Sequence, residues 1–132
     1  MGNFQIRASI VAAAVAILLP VAAQGQEVCR NYVQESSNAG DCDSCSVRVQ
    51  RNGQGYIIKS NNGWAARAQW SNGDPSEAEG AGVWDDDLGT AYAGQPFDFS
   101  MVASGGDLDV TMTMQDDRQF HNPIDVRYHC AD

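Results

Sequence analysis

Lysine occurs once in these 132 residues, at Lys59, and histidine only twice, at His121 and His129. With 8 basic residues against 17 acidic ones the formal charge is −9. Phosphate backbones are held mainly through lysine and arginine, so a chain this poor in cations is not expected to have nucleic acid as its partner. Long apolar runs are missing as well. The clearest, Ala8 to Leu19, holds 12 residues, where a membrane-spanning helix needs about 20. There is no internal repeat, no low-complexity tract, no convincing helical period and no Asn-X-Ser/Thr sequon, so N-glycosylation is not expected.

That short apolar run follows Arg7, the first charge in the chain, and leads into Pro20 and small residues. This is the layout of a secretory signal peptide over residues 1–23, with cleavage ahead of Gln24. The expected mature part, residues 24–132, is one domain of 109 residues with a formal charge of −10, since cleavage removes Arg7 and no acid. The reading implies a secreted, extracellular protein with no membrane attachment after cleavage, expected as a monomer. Its acidity supports solubility.

Cys29, Cys42, Cys45 and Cys130 all lie in that mature part. An even count in an exported chain reads as two disulfides. Three connectivities are open: Cys29–Cys130 with Cys42–Cys45, Cys29–Cys42 with Cys45–Cys130, and Cys29–Cys45 with Cys42–Cys130.

The best-specified stretch runs from Pro96 to Met114. Phe97, Phe99, Met101 and Ala103 alternate with polar or smaller positions, and Leu108, Val110, Met112 and Met114 do the same after Gly105-Gly106. Period two on both sides of a Gly-Gly pair predicts a β-hairpin. A two-residue turn sets Ala103 opposite Leu108, Met101 opposite Val110, Phe99 opposite Met112 and Phe97 opposite Met114, so every apolar side chain meets another on one face.

The rest of the chain reads as strands too. A first strand is predicted over Glu27 to Gln34, followed by a loop from Glu35 to Asp43. Cys45 to Gln50 alternates clearly, Asn52-Gly53 turns, Gly55 to Ser60 returns, and Asn61-Asn62-Gly63 turns again. Trp64 to Trp70 puts Trp64, Ala66, Ala68 and Trp70 on one side at strand spacing. Ser71 to Gln95 lacks periodicity and is predicted to be a long irregular loop, with a short strand around Ala81 to Trp84 as the alternative. After a polar connection from Gln115 to Pro123, Ile124 to Cys130 alternates once more, pointing His129 outward. About seven short strands without a helix predict an all-β fold, a small antiparallel β-sandwich or barrel stapled by disulfides.

Chemistry-bearing side chains are few. Asp85-Asp86-Asp87 invites calcium, but neighbouring aspartates on an extended chain point to opposite sides and the EF-hand spacing is lacking, so a solvated acidic loop is the expectation. Cys42-x-x-Cys45 with His121 and His129 supplies zinc-ligand types, yet export favours oxidised sulfur; no metal and no cofactor are expected. Ser100, Asp125 and His129 all project outward from strands, without a Gly-x-Ser-x-Gly elbow. Trp64 and Trp70 are expected in the core, whereas Trp84 sits in the irregular acidic stretch and is a candidate contact residue with Asp85, Asp86 and Asp87.

Signal peptide, mature length, a cysteine near each mature terminus and β-rich patterning together resemble small secreted fungal proteins, including the effector type that acts on host tissue. Gln95-Pro96-Phe97-Asp98-Phe99-Ser100 also looks like a strand of the small acidic fungal ribonucleases. That likeness would imply a histidine and glutamate acid-base pair with an arginine, although the early helix of that family has no counterpart here. The function expected is a non-catalytic binding module that contacts a protein or carbohydrate partner through loops, chiefly Gly73 to Asp87. The alternative is a small hydrolase that uses His121 or His129 with a carboxylate such as Asp125. A structural or surface-coat role is disfavoured by the charged outward positions.

Overall fold

A computed structural model describes residues 28–116, 118 and 120–132. The signal peptide expected over residues 1–23 lies outside them. Eight antiparallel strands form a closed barrel in which each pairs with its sequence neighbours and the last returns to the first. They are β1 (Asn31–Ser37), β2 (Ser46–Arg51), β3 (Gly55–Ser60), β4 (Trp64–Ser71), β5 (Asp74–Trp84), β6 (Pro96–Ser104), β7 (Asp107–Met114) and β8 (Ile124–Cys130). The predicted hairpin is β6–β7, with all four apolar pairs in the expected register. Gly105 and Gly106 turn it with φ of 61° and 86°, the left-handed backbone that two-residue hairpin turns require.

Strand count and boundaries differ from expectation in two places. Residues 74–84 are not an irregular loop but the longest strand, pairing with β4 through Gly80↔Ala68 and Gly82↔Ala66 and with β6 through Gly80↔Phe99 and Gly82↔Phe97. Its period was hidden because its core-side positions include Gly80 and Gly82. Bulk comes from the neighbouring strands: the Trp64 ring packs at 5.9 Å from Phe97 and 5.8 Å from Phe99. The turn into β5 is Asn72-Gly73, at φ of 52° and 73°. The first strand is also displaced. It runs to Ser37 rather than Gln34, because β8 goes on pairing with Ser36 and Ser37 past an irregularity at Glu35.

Aromatic, aliphatic and methionine side chains fill the barrel, from Tyr32 and Ile58 through Phe97, Met101 and Leu108 to Tyr128, and no charged or polar residue is buried among the described residues. Eight strands give an interior just wide enough for side chains to occupy. Antiparallel topology sorts the connections. One rim, here the loop rim, carries segments 38–45, 61–63 and 85–95 and the described residues of the connection from β7 to β8. The turn rim carries the tight turns at 52–54, 72–73 and 105–106 together with residues 28–30 and 131–132. Of the three open connectivities, the disulfides are Cys29–Cys130, with Cα atoms 5.9 Å apart at the turn rim, and Cys42–Cys45, 5.5 Å apart in the first loop.

Candidate functional site

On the loop rim, Asp85, Asp86 and Asp87 are exposed, but Trp84 is only 8% exposed and closes the barrel from inside. It stacks on Tyr92 at 5.2 Å, which stacks in turn on Phe120 at 5.1 Å. Trp84 is therefore a core residue where an exposed contact was expected. Backbone hydrogen bonds from Asp85 N–H to Gly63 O (2.8 Å) and from Gly94 N–H to Trp84 O (3.1 Å) fasten segment 85–95 down, with Leu88 and Tyr92 packed on the core. The acidic triplet rides on this plug.

The residues named for hydrolysis do not converge. His121 lies in the connection before β8 at the loop rim and His129 near the far end of β8, at opposite ends of the barrel. Asp125 accepts a hydrogen bond from Thr111 Oγ1 at 2.9 Å and is not the partner of His129. His129 Nδ1 instead lies 2.9 Å from Asp107 Oδ1, its cross-strand neighbour. Glu35, at the β1 irregularity, brings a carboxylate into the same cluster, with ligand atoms of the three residues within 4.8 Å of one another. Beside them Arg127 Nε donates to Asp109 Oδ1 at 2.9 Å, and this bond raises the guanidinium pKa further. Two carboxylates and an imidazole can share a divalent cation or exchange a proton. They stand on the convex outer wall, where a substrate would be wetted on most sides. Neither Glu35 nor Asp107 was singled out from the sequence; finding them needs the β7–β8 register and the β1 irregularity. Cys42 and Cys45, bonded to each other, offer no thiolate to a metal.

A groove lies at the turn rim. It encloses about 920 Å³ and is lined by Arg30, Arg48, Arg51, Tyr56, Trp70 and Pro75, with Asn31 and Gln50 beside them. Trp70, expected in the core, packs against it with one side only. The Arg51 guanidinium sits 4.6 Å from the Trp70 ring centroid, a cation–π arrangement. Tyr56 donates its hydroxyl hydrogen to Pro75 O at 2.6 Å. Burial pushes the Tyr56 phenol pKa up, against the pull of the Trp70 N–H and Arg51. Trp70 Nε1 is itself buried without an acceptor at hydrogen-bonding geometry.

Charge on the outer wall is segregated. Residues 44–73 contain Arg48, Arg51, Lys59 and Arg67 and not one acid, in a chain with 17 acids. They form β2, β3 and β4, and Arg48 stands directly opposite Lys59. The outward positions of β5 to β8 carry Glu77, Glu79, Asp98, Asp107, Asp109 and Asp125. Among the described residues the ion pairs are Arg127–Asp109 and His129–Asp107, both in that acidic sector. The acid-free run was legible in the sequence and is the signal that points to this face.

No family model, curated protein or solved structure matches the chain. What the fold defines is a class: a disulfide-stapled eight-stranded up-and-down barrel with a filled interior and its reactive groups outside.

Proposed function

We propose that this protein is a secreted, non-catalytic binding module that engages a protein or carbohydrate partner through the outside of its barrel. The observation that carries the reading is the filled interior: Phe97, Ile58, Leu108 and Tyr128 are each at most 1% exposed, so the lumen has no room for a substrate, and the histidines lie at opposite rims. Two disulfides suit an oxidising, extracellular setting. An effector-like role in host tissue is the biological form of this reading. The loop rim with Asp85, Asp86 and Asp87 and the turn-rim groove are the two surfaces on which a partner would sit.

A second reading, a small hydrolase, draws on the cluster of Glu35, Asp107 and His129 with Arg127 nearby. Pooled assays on RNA and polysaccharides separate the two. The binding reading expects no turnover by the wild type. Turnover that disappears in the His121→Ala/His129→Ala double variant would establish the hydrolase instead.

A further inference from the structure

We propose that the turn-rim groove binds a carboxylate-bearing sugar, specifically a short oligosaccharide of hexuronic acids. This rests on the reading of the protein as a binding module and names the ligand class of one of its surfaces.

Three features of the groove converge on that chemistry. Arg30, Arg48 and Arg51 line one groove, and among the described residues none has a carboxylate within ion-pairing distance. Guanidinium forks match carboxylates bidentately. Half-buried Trp70, its ring centroid 6.2 Å from that of the buried Tyr56, offers the exposed part of its indole to the C–H face of a pyranose ring. Asn31 and Gln50 add amides for hydroxyls. At about 920 Å³ the groove also falls in the size range of small-ligand sites, roughly 300–1,000 Å³.

Neighbouring acids set the length of the ligand. Asp132 accepts from the Arg30 and Asn31 backbone N–H groups at 2.7 and 3.0 Å, and Asp74 accepts from Ser76 N–H and Oγ–H at 2.9 and 2.8 Å. Both carboxylates are already engaged, and both bound the positive zone, as does the acidic sector of β5 to β8. A long polyanion such as RNA would run into these negative flanks. With screening over about 8 Å at physiological salt, an oligomer of a few sugars stays inside the positive zone. A neutral sugar leaves the guanidinium groups unmatched.

The test titrates the full secreted chain with a tetramer of galacturonic acid, its methyl ester, and an RNA dodecamer, by calorimetry and by tryptophan fluorescence. Trp64 and Trp84 are buried, so Trp70→Phe should abolish the fluorescence response. The expected result is saturable binding of the tetramer, with the ester at least tenfold weaker. Arg48→Gln and Arg51→Gln should each weaken binding about tenfold, while Arg118→Gln, at the opposite rim, should leave it unchanged. Unfolding midpoints check that each variant is folded, and Arg48→Gln keeps the test alive should Arg51→Gln lose the stack on Trp70. Ester binding equal to the acid, unaltered binding by folded arginine variants, tighter binding of RNA, or no saturation would each overturn the proposal. Chromatography of the bound tetramer separates the two levels: cleavage would end the non-catalytic reading and leave the groove assignment standing, whereas absence of binding would end the assignment alone.

Discussion

The disulfide between Cys29 and Cys130 fastens the segment before β1 to the end of β8, and the effect of its removal can be worked out. Its cysteines are 101 residues apart, whereas Cys42 and Cys45 are 3 apart. In the chain-entropy account a cross-link removes 2.1 cal/mol/K plus 1.5R ln n from the unfolded ensemble, or about 4.7 kcal/mol at 25 °C for the long loop and about 1.6 kcal/mol for the short one. Single domains are stable by only about 5–15 kcal/mol, so the long bridge is a large share of the total. The folded state should survive its loss, because β1 keeps five paired positions with β8 and Asp132 still ties Arg30 and Asn31. Urea unfolding followed by tryptophan fluorescence at 25 °C should therefore show the Cys29→Ser/Cys130→Ser protein less stable by about 4–5 kcal/mol. The Cys42→Ser/Cys45→Ser protein should lose less than about 2 kcal/mol. The long-loop variant should also unfold with a steeper denaturant dependence, since its unfolded chain is freer to expose surface. Equal losses, or a larger loss from the short bridge, would refute the entropic reasoning.

Trp84→Ala should destabilise by about 3–5 kcal/mol and flatten the near-UV circular dichroism from the stack with Tyr92, whereas a loop tryptophan would be lost with little change in the unfolding midpoint. Gly82→Ala should cost about 1–3 kcal/mol in the same urea assay, because a Cβ there collides with the Ala65 carbonyl oxygen and the Phe97 ring. Burial raises the Tyr128 pKa above its usual 10, so above pH 10 the unfolded chain loses a proton that the folded chain keeps. Its contribution to stability is then full below pH 10 and falls by about 1.4 kcal/mol per unit above it; Tyr128→Phe should make the alkaline unfolding curve shallower, and the slope that is left belongs to Tyr32 and Tyr56, whose pKa burial also raises. Lys59→Glu should raise the urea midpoint, by replacing a like-charge neighbour of Arg48 with an opposite one. It should also weaken binding of the galacturonate tetramer; a gain in stability without that loss would count against a functional origin for the cationic sector.

Patterning made seven of the eight strands legible, β1 with displaced bounds, and the β6–β7 register could be written down residue by residue, because apolar and polar side chains alternate there with a turn whose length allows one pairing only. β5 was not legible for the opposite reason: Ala78, Gly80 and Gly82 contribute little side-chain volume and no hydrophobic period, and their place in the sheet is set by Trp64, Phe97 and Phe99 on the strands either side. Trp84 was misplaced as a consequence, since a residue at the end of an unseen strand looks like one in a loop. The disulfide pairing needed the barrel to close, which brings residues 29 and 130 together. The Glu35, Asp107 and His129 cluster needed registers between β1, β8 and β7 that local pattern does not encode. The acid-free run at 44–73 was readable as composition, but its meaning depended on β2, β3 and β4 being neighbours.

That adjacency gives the charge distribution its weight. Where solubility alone governs a sheet surface, opposite charges across strands are favourable and like charges directly opposite are not. The β7–β8 face obeys this, with Arg127 bonded to Asp109 and His129 to Asp107. The β2–β3 face does the reverse, setting Arg48 against Lys59 while 17 acids are spent elsewhere in the chain. An acid in place of Lys59, or at an outward position beside Arg48, would relieve the repulsion. The filled interior leaves the outer surface as the place where a ligand can act, so the arginines of the turn rim have their natural counter-charge in a partner rather than in the protein.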